Sequence, residues 1–192
     1  MLLNQELVIR AIFILFLFIT FNKTLADNKG SETGLDLPRY VSLKSNESNI
    51  RVGPSKNYPI SIKYITKDYP LKITDEYGDW RKIIDFQNNT GWVHKSLIKG
   101  ERHGIIIGSN NKIDAYNTVK GKVIGKIDTG VVVKLSKCKI NWCLIIKGEN
   151  KGWVKKKHIW GVKKNEEFNI RFFQILNDYF IKSVNLIDDF LK

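Results

Sequence analysis

Two copies of one motif decide the fold: Gly91-Trp92-Val93-His94-Lys95-Ser96-Leu97 and, 61 residues later, Gly152-Trp153-Val154-Lys155-Lys156-Lys157-His158-Ile159. Upstream landmarks repeat too, because Asp79-Trp80-Arg81-Lys82-Ile83-Ile84 matches Asn141-Trp142-Cys143-Leu144-Ile145-Ile146 at an offset of 62. A period of this size indicates tandem copies of one folded unit. We therefore expect one unit over residues 37–99 and a second over residues 100–162.

Each unit is a series of short β-branched runs separated by Gly, Asn and Asp turn residues. In the first unit the predicted strands are 61–65, 71–74, 81–86 and 91–93. Short strands with such turns are typical of small all-β barrels. The sequence therefore predicts a mainly β chain with two tandem small barrels, followed by a C-terminal helix.

The composition is that of a globular protein with a strong excess of positive charge. The chain has 192 residues, 43% hydrophobic and 27% charged, with a net charge of +13. These values exclude an acidic disordered tail protein, a collagen and a polytopic membrane protein. The charge is uneven, at +4 over residues 36–99 and +10 over residues 100–163. An anionic partner is therefore expected at the second unit.

The first residues have the pattern of a secretory signal. Arg10 precedes an unbroken apolar run over residues 11–21, which is well short of the roughly 20 residues needed to span a bilayer. Small side chains at Thr24 and Ala26 predict cleavage after Ala26. We expect a signal peptide over residues 1–26, a flexible tail over 27–36, and export to the periplasm with no membrane span after cleavage. The alternative is an uncleaved signal that anchors the chain in the inner membrane, facing the periplasm.

Cys138 and Cys143 are the only cysteines. The flanking runs at 131–135 and 144–146 predict two strands joined by a tight hairpin, and cross-strand neighbours at about 4.5–5.5 Å are within reach of a disulfide. Exported thiols tend to pair. A metal site with His158 is the alternative, but one Cys-x4-Cys without a second pair is a poor zinc pattern. We predict a disulfide, no metal and no cofactor.

Further motifs occur in the order expected of one known family. The first unit has Leu37-Pro38-Arg39-Tyr40-Val41-Ser42-Leu43-Lys44, Asn49-Ile50-Arg51-Val52-Gly53-Pro54-Ser55, Tyr58-Pro59, Trp80-Arg81-Lys82-Ile83 and Gly91-Trp92-Val93-His94, and the second has Cys138, Trp142-Cys143, Gly152-Trp153-Val154 and Ile159-Trp160-Gly161-Val162. Together, these residues resemble the tandem bacterial SH3-like (SH3b) domains of exported alphaproteobacterial proteins. The resemblance implies non-catalytic modules that bind cell-wall peptide or protein partners, often beside a separate hydrolase domain.

The second unit departs from the family pattern at one place. It has Ile113-Asp114-Ala115-Tyr116 where the first has Ile50-Arg51-Val52-Gly53, which argues against a ligand site there. In the Src-homology-3 fold, an aromatic residue beside a turn can line a peptide groove. We therefore place the candidate groove in the first unit, at Arg51, Tyr58, Tyr64, Tyr69, Pro70 and Trp80. The alternative for each of these residues is plain packing, the role we expect for Trp92 and Trp153.

Lysines of the second unit form a candidate basic patch. They lie at predicted turns or strand ends, where we expect them to be exposed, and they are Lys120, Lys122, Lys137, Lys139, Lys155, Lys156 and Lys157. Such a patch would contact an anionic polymer, such as wall glycan with its peptide carboxylates, teichoic or lipopolysaccharide phosphates, or anionic lipid heads. The alternative is a solvated face without a ligand. Nucleic acid is not expected as a partner of an exported chain.

The last segment, residues 163–192, has apolar residues at helical spacing, from Phe168 to Phe190. The opposite face is polar with no net charge, unlike a helix that lies on an anionic membrane. We predict an amphipathic helix that packs against the barrels or against a second copy in a homodimer.

No catalytic set of residues is recognisable in the sequence. His94, His103 and His158 have no metal-ligand spacing, and nucleophile and phosphate-binding motifs are missing. We therefore expect a non-catalytic exported module that binds cell-wall peptidoglycan peptide or an envelope protein. The alternative is an interaction adaptor or dimer that acts through the C-terminal helix, and general binding of anionic polymer by the second unit is a third reading.

Overall fold

The computed structural model describes residues 28–169, which fold into two β-sheets. The first contains β1 (Arg39–Leu43), β2 (Ser48–Arg51), β3 (Ile60–Tyr64), β4 (Pro70–Tyr77), β5 (Trp80–Ile84), β6 (Thr90–His94), a 3₁₀ turn (Lys95–Leu97) and β7 (Ile98–Lys99). The second contains β8 (His103–Ile106), β9 (Lys112–Tyr116), β10 (Val123–Asp128), β11 (Val132–Cys138), β12 (Trp142–Lys147), β13 (Asn150–Lys155), a 3₁₀ turn (Lys156–His158), β14 (Ile159–Trp160) and β15 (Phe168–Asn169). The mainly β architecture is confirmed.

The two sheets have the same strand order. The first runs β3-β2-β6-β5-β4-β1-β7, and the second runs β10-β9-β13-β12-β11-β8-β14, with β15 added beside β11. All the strand pairs are antiparallel. The sequence repeat is therefore a structural repeat, with each β-strand from β1 to β7 matched by one from β8 to β14.

Each sheet encloses its own apolar core, to which alternate residues of a strand contribute because their side chains point to one face. The first core contains Val41, Leu43, Ile50, Leu71, Ile73, Ile83 and Val93, and the second contains Ile106, Ile113, Val133, Leu135, Cys138, Cys143, Ile145, Val154, Ile159 and Val162.

The same alternation corrects the expected role of two tryptophans. Trp92 and Trp153 are only half-buried, because the inward positions belong to the glycine and the valine on either side of each. A Cβ at Gly91 would lie 2.4 Å from Ile50 Cγ2, so this position requires glycine for the close approach of β6 to β2. The tryptophan next to it must point outward.

The residues before β1 are not the flexible tail that the sequence predicts. Residues 28–36 form a hairpin turn closed by a bridge between Lys29 and Asp36. Its backbone N–H groups at Glu32 and Thr33 donate to the Glu76 carboxylate over 3.0 and 2.9 Å. The hairpin is therefore fastened to the first barrel.

The carboxylate of Glu76 is buried and fully paired. Arg39 donates to it over 2.5 Å, Thr33 Oγ1 over 2.8 Å, and Arg81 Nε lies 3.3 Å away. Burial alone would raise the pKa of Glu76, but the hydrogen bonds from Arg39 and Thr33 outweigh it and lower the pKa to about 2.

Contacts between the two sheets are polar and aromatic. Ser42 Oγ donates to the Glu101 carbonyl over 2.7 Å and lies 2.9 Å from His103 Nδ1. Tyr40 meets Trp160 edge-to-face, with 5.3 Å between ring centroids. The two barrels are therefore joined by side-chain contacts as well as by the covalent chain.

The described part of the predicted C-terminal helix is not helical. Residues 163–169 form a turn followed by β15, which pairs with β11. The rest of that segment and the predicted signal peptide lie outside the described residues. Within residues 28–169, no helix is long and apolar enough to cross a membrane.

Candidate ligand groove

Trp142 begins β12 directly after the turn of residues 139–141. This turn is closed by the Cys138–Cys143 disulfide, whose residues are cross-strand partners with Cα atoms 4.1 Å apart. Lys139 N also donates to the Trp142 carbonyl over 2.8 Å. The predicted hairpin and disulfide are confirmed, and they fix the backbone on the amino-terminal side of Trp142.

Two pockets flank Trp142, with volumes of about 670 and 710 Å³. We call them together the Trp142 groove. Six of the seven predicted patch lysines line it, namely Lys120, Lys137 and Lys139 in the first pocket and Lys120, Lys155, Lys156 and Lys157 in the second. Lys122 is exposed but lies outside both pockets. The basic residues therefore converge on an aromatic side chain.

Side chains that line the groove make cation–π and edge-to-face contacts, two of them with rings that line neither pocket, those of Tyr116 and Trp153. Lys155 Nζ lies 5.7 Å from the centre of the Trp142 ring, and Tyr116 meets that ring edge-to-face at 5.1 Å. Lys139 Nζ lies 5.6 Å from the centre of the Trp153 ring. Such contacts stabilise a lysine by about 0.5–1 kcal/mol at an exposed site, so they hold these side chains along the groove without neutralising them.

Lys156 differs from its neighbours and corrects the expectation that all seven lysines are exposed. It is buried, and its ammonium donates to the carbonyls of Lys164 and Glu166 over 3.2 and 2.7 Å. Burial lowers the pKa of Lys156, an effect only partly opposed by the nearby Glu166 and Glu167. This lysine holds the segment after β14 rather than a ligand.

The first barrel has an equivalent place, identified by matching hydrogen bonds. Lys95 N donates to the Asp79 carbonyl, and Lys156 N donates to the Asn141 carbonyl, both over 2.8 Å. Trp80 therefore corresponds to Trp142. Its ring contacts His94 edge-to-face at 5.3 Å, so the first barrel has an aromatic ring where the second has Lys155.

The candidate groove residues of the first barrel fall into separate groups. Tyr64 donates from its hydroxyl to Asp85 over 2.7 Å and stacks on Tyr69 at 4.9 Å, with buried Pro70 next in the chain. Burial and the neighbouring Asp85 raise the pKa of Tyr64, and they raise that of Tyr69 to about 12. Asp85 follows the last residue of β5 and Trp80 is the first, so the two ends lie roughly 16 Å apart along the strand.

Arg51 and Tyr58 form another group. Arg51 Nη1 donates to the Tyr58 carbonyl over 2.6 Å, and the Tyr58 ring packs on Gly53, where a Cβ would lie 2.7 Å from it. The Tyr58 side chain is 46% exposed. No hydrogen bond, ion pair or ring contact within residues 28–169 joins this pair to Trp80. A single groove formed by all six residues stays a prediction.

A further polar cluster lies where the barrels meet. Asp68, Glu101 and His103 bring their ligand atoms within 4.8 Å of one another. Lys99 Nζ lies 2.7 Å from Asp68 and 2.5 Å from Glu101, and Lys134 also pairs with Glu101, so two ammonium groups balance the two carboxylates. These ion pairs therefore support a structural role for the cluster where the barrels meet.

The sequence did not identify Trp142 as the centre of a groove. The motif that could have done so is Lys155, which follows the repeated Gly-Trp-Val and replaces His94 of the first copy. This replacement puts a cation beside Trp142.

Comparisons with solved structures return an NlpC/P60 family protein from Bacillus cereus ATCC 10987 and the proteins NlpC2 and NlpC1 from Trichomonas vaginalis. Their sequence identities are 10%, 10% and 12%, each with a TM-score of 0.28. The matches cover 63%, 64% and 71% of this chain and 55%, 48% and 50% of the solved chains. The chain thus spans about half the length of these structures. No curated protein matches the sequence significantly.

The family comparison covers both units. The family described as bacterial SH3 domain matches residues 44–100 and 118–161, which together make up more than half of the chain and include both repeated tryptophan motifs. The chain belongs to the bacterial SH3 domain family.

Proposed function

We propose that the chain is an exported, non-catalytic binding module whose Trp142 groove takes a cell-wall peptide. Membership of the bacterial SH3 domain family supports a binding role. The observation that carries the proposal is the convergence of five patch lysines other than the buried Lys156 on the two pockets beside Trp142. Export rests on the predicted signal peptide, which lies outside the described residues.

The chemistry of the groove suits a peptide with several carboxylates. Among its lysines, Lys120, Lys139, Lys155 and Lys157 are exposed and have no acidic partner within residues 28–169. An exposed ion pair contributes at most about 1 kcal/mol, so one lysine would hold a ligand weakly, whereas several can act together. The Trp142 side chain is buried, at 8% exposed, and the part of it that reaches the two pockets adds apolar surface against which small side chains can pack.

Weak single-site binding is compatible with a useful attachment to the cell wall. The wall repeats the same peptide many times, and a module released from one copy is rapidly recaptured by the next. We therefore expect the module to dissociate quickly from soluble fragments and to remain associated with intact wall. An acidic segment of an envelope protein is the alternative occupant of the same groove.

Co-sedimentation with isolated sacculi tests the proposal. At low salt we expect the protein to pellet, and we expect the triple variant Lys120→Gln, Lys139→Gln, Lys155→Gln to stay mostly in the supernatant. The matched control replaces three exposed lysines of the first barrel, Lys44, Lys56 and Lys67, and removes the same charge. This control should pellet like the wild type.

Two results would contradict the proposal. If the wild type stays in the supernatant, the wall is not the partner. If both triple variants lose binding equally, net charge explains the association and the Trp142 groove does not. Sacculi stripped of phosphate-bearing polymers distinguish two ligands. If binding is lost on stripping, the ligand is phosphate and not peptide carboxylate.

The candidate groove of the first barrel and the C-terminal helix stay predictions. The former has the exposed Tyr58 ring beside Arg51, and the latter lies mostly outside the described residues. Neither is required for the Trp142 groove to bind a peptide.

A further inference from the structure

The wall of the Trp142 groove is completed by residues that lie outside the family match. Residues 163–169, which we call the strap, follow the second barrel and return to it as β15. There Asn169 pairs with Lys137 and Phe168 pairs with Cys138. The strap therefore places Glu167, Phe168 and Asn169 in the pocket next to the disulfide turn.

Three contacts fix the strap in place. Lys156 donates to two of its carbonyls, as described above, and Arg102 forms a two-pronged ion pair with Glu166. The Arg102 guanidinium also lies 5.1 Å from the centre of the Phe168 ring. Because Glu166 and Phe168 are both anchored, the backbone of Glu167 between them has a defined position at the edge of the groove.

Glu167 is exposed and has no hydrogen-bond or ion-pair partner within residues 28–169. It shares its pocket of about 670 Å³ with Lys120, Lys137 and Lys139. None of these three lysines forms an ion pair with a described acidic residue. Opposite charges thus line one pocket without forming an ion pair with each other, and exposed side chains of both signs face a ligand there.

We propose that Glu167 is a specificity-determining residue that binds an amine of the ligand while the lysines bind its carboxylates. The groove then selects a zwitterionic peptide, one that carries a free amine near its acidic groups, over a purely anionic polymer. This inference rests on the proposed function. It assigns to the strap a role in choosing among the ligands that the barrel can hold.

Calorimetry with matched probes tests the role of Glu167. The first probe is a set of soluble muropeptides whose peptides carry a free amine. The second is the same set after N-acetylation with acetic anhydride, which removes the amine and keeps every carboxylate. For the wild type we expect acetylation to weaken binding about two- to fivefold, the range of one exposed ion pair. For Glu167→Gln we expect the two probes to bind equally.

Glu149→Gln is the matched control, since Glu149 is an exposed carboxylate of the same barrel in the turn after β12. This variant should retain the full effect of acetylation. Thermal melts of all three proteins should agree, because neither glutamate is buried.

Three outcomes would overturn the inference. If acetylation weakens binding equally in the wild type and in Glu167→Gln, the Glu167 carboxylate does not bind the amine. Tighter binding of both probes by Glu167→Gln, by the same factor, shows that Glu167 only repels anions. If the wild type binds neither probe, the proposed function fails as well, whereas in the first two outcomes that function stands.

Discussion

Lys155 faces Trp142 across the β12–β13 pair and places its ammonium 5.7 Å from the centre of the indole ring. The first barrel has His94 opposite Trp80 at the corresponding place. One backbone arrangement thus presents an aromatic pair in one barrel and a cation beside an aromatic ring in the other. The barrels share a fold and differ in the ligand chemistry that this position supports.

Replacing Lys155 by histidine gives the second barrel the residue of the first. We expect Lys155→His to weaken muropeptide binding about two- to fivefold at 50 mM NaCl, and the difference from the wild type to shrink at 500 mM because salt screens exposed charges. Isothermal titration at the two salt concentrations measures this. Lys151→His, at an exposed position outside the Trp142 groove, should bind like the wild type. A deficit that does not change with salt would show that the charge of Lys155 is not what matters.

Lys156 and Lys95 occupy equivalent positions and should differ in their effect on stability. Lys156→Met leaves the strap carbonyls without their buried donor, and we expect it to lower the free energy of unfolding by about 1–3 kcal/mol. Lys95 forms an exposed ion pair with Asp79, so Lys95→Met should cost less than about 1 kcal/mol. Urea denaturation compares the two variants. Equal losses would contradict the structural role assigned to Lys156.

Acid should destabilise the protein partly through Glu76. Its pKa is about 2 in the folded chain against an ordinary 4.5, so its contribution is complete above the ordinary value and is lost as pH falls toward 2. The shift corresponds to about 3 kcal/mol. We expect Glu76→Gln to be less stable than the wild type at pH 6 and the gap to narrow steadily below pH 4.5, as followed by urea midpoints. A gap independent of pH would show that the charge of Glu76 contributes nothing.

Reducing the disulfide should loosen the turn that forms one side of the Trp142 groove. A loop this short contributes about 2 kcal/mol of chain entropy, so we expect a reductant to lower the melting temperature and to weaken muropeptide binding. The double variant Cys138→Ala, Cys143→Ala supplies the control, because its melting temperature should not respond to reductant. Wild-type binding that is unchanged after complete reduction would show that the groove does not depend on the disulfide.

Local patterns in the sequence were sufficient for the repeat, for four of the first barrel's seven strands (β3 to β6) and for the disulfide. Alternation and turn residues act over a few positions, and the spacing of Cys138 and Cys143 is that of a tight hairpin. The same local information was insufficient for the tryptophans. Trp92 lies in a clear strand, yet Gly91 must face inward because Ile50 leaves no room for a Cβ there. That contact joins residues far apart in the sequence.

The position of the Trp142 groove depends on packing between residues that lie even farther apart in the sequence. Lys120, Lys139 and Lys155 come from three separate places in the sequence, and the fold of the second barrel brings them to the pockets beside Trp142. Lys156 looked like its neighbours in sequence, and its burial follows from the strap that returns beside it. The first-barrel groove stays a prediction, and β5 separates Trp80 from Asp85, the hydrogen-bond partner of Tyr64, by the length of the strand.

Nuclear magnetic resonance gives the most direct test of where the ligand binds, because the chain has 5 tryptophans and each indole N–H gives its own cross-peak. Muropeptides should be titrated into ¹⁵N-labelled protein, with the peaks assigned by Trp→Phe variants. We predict that the Trp142 peak shifts progressively with ligand while the Trp80 peak stays in place. Movement of Trp80 with a stationary Trp142 would contradict it and would place the binding site in the first barrel.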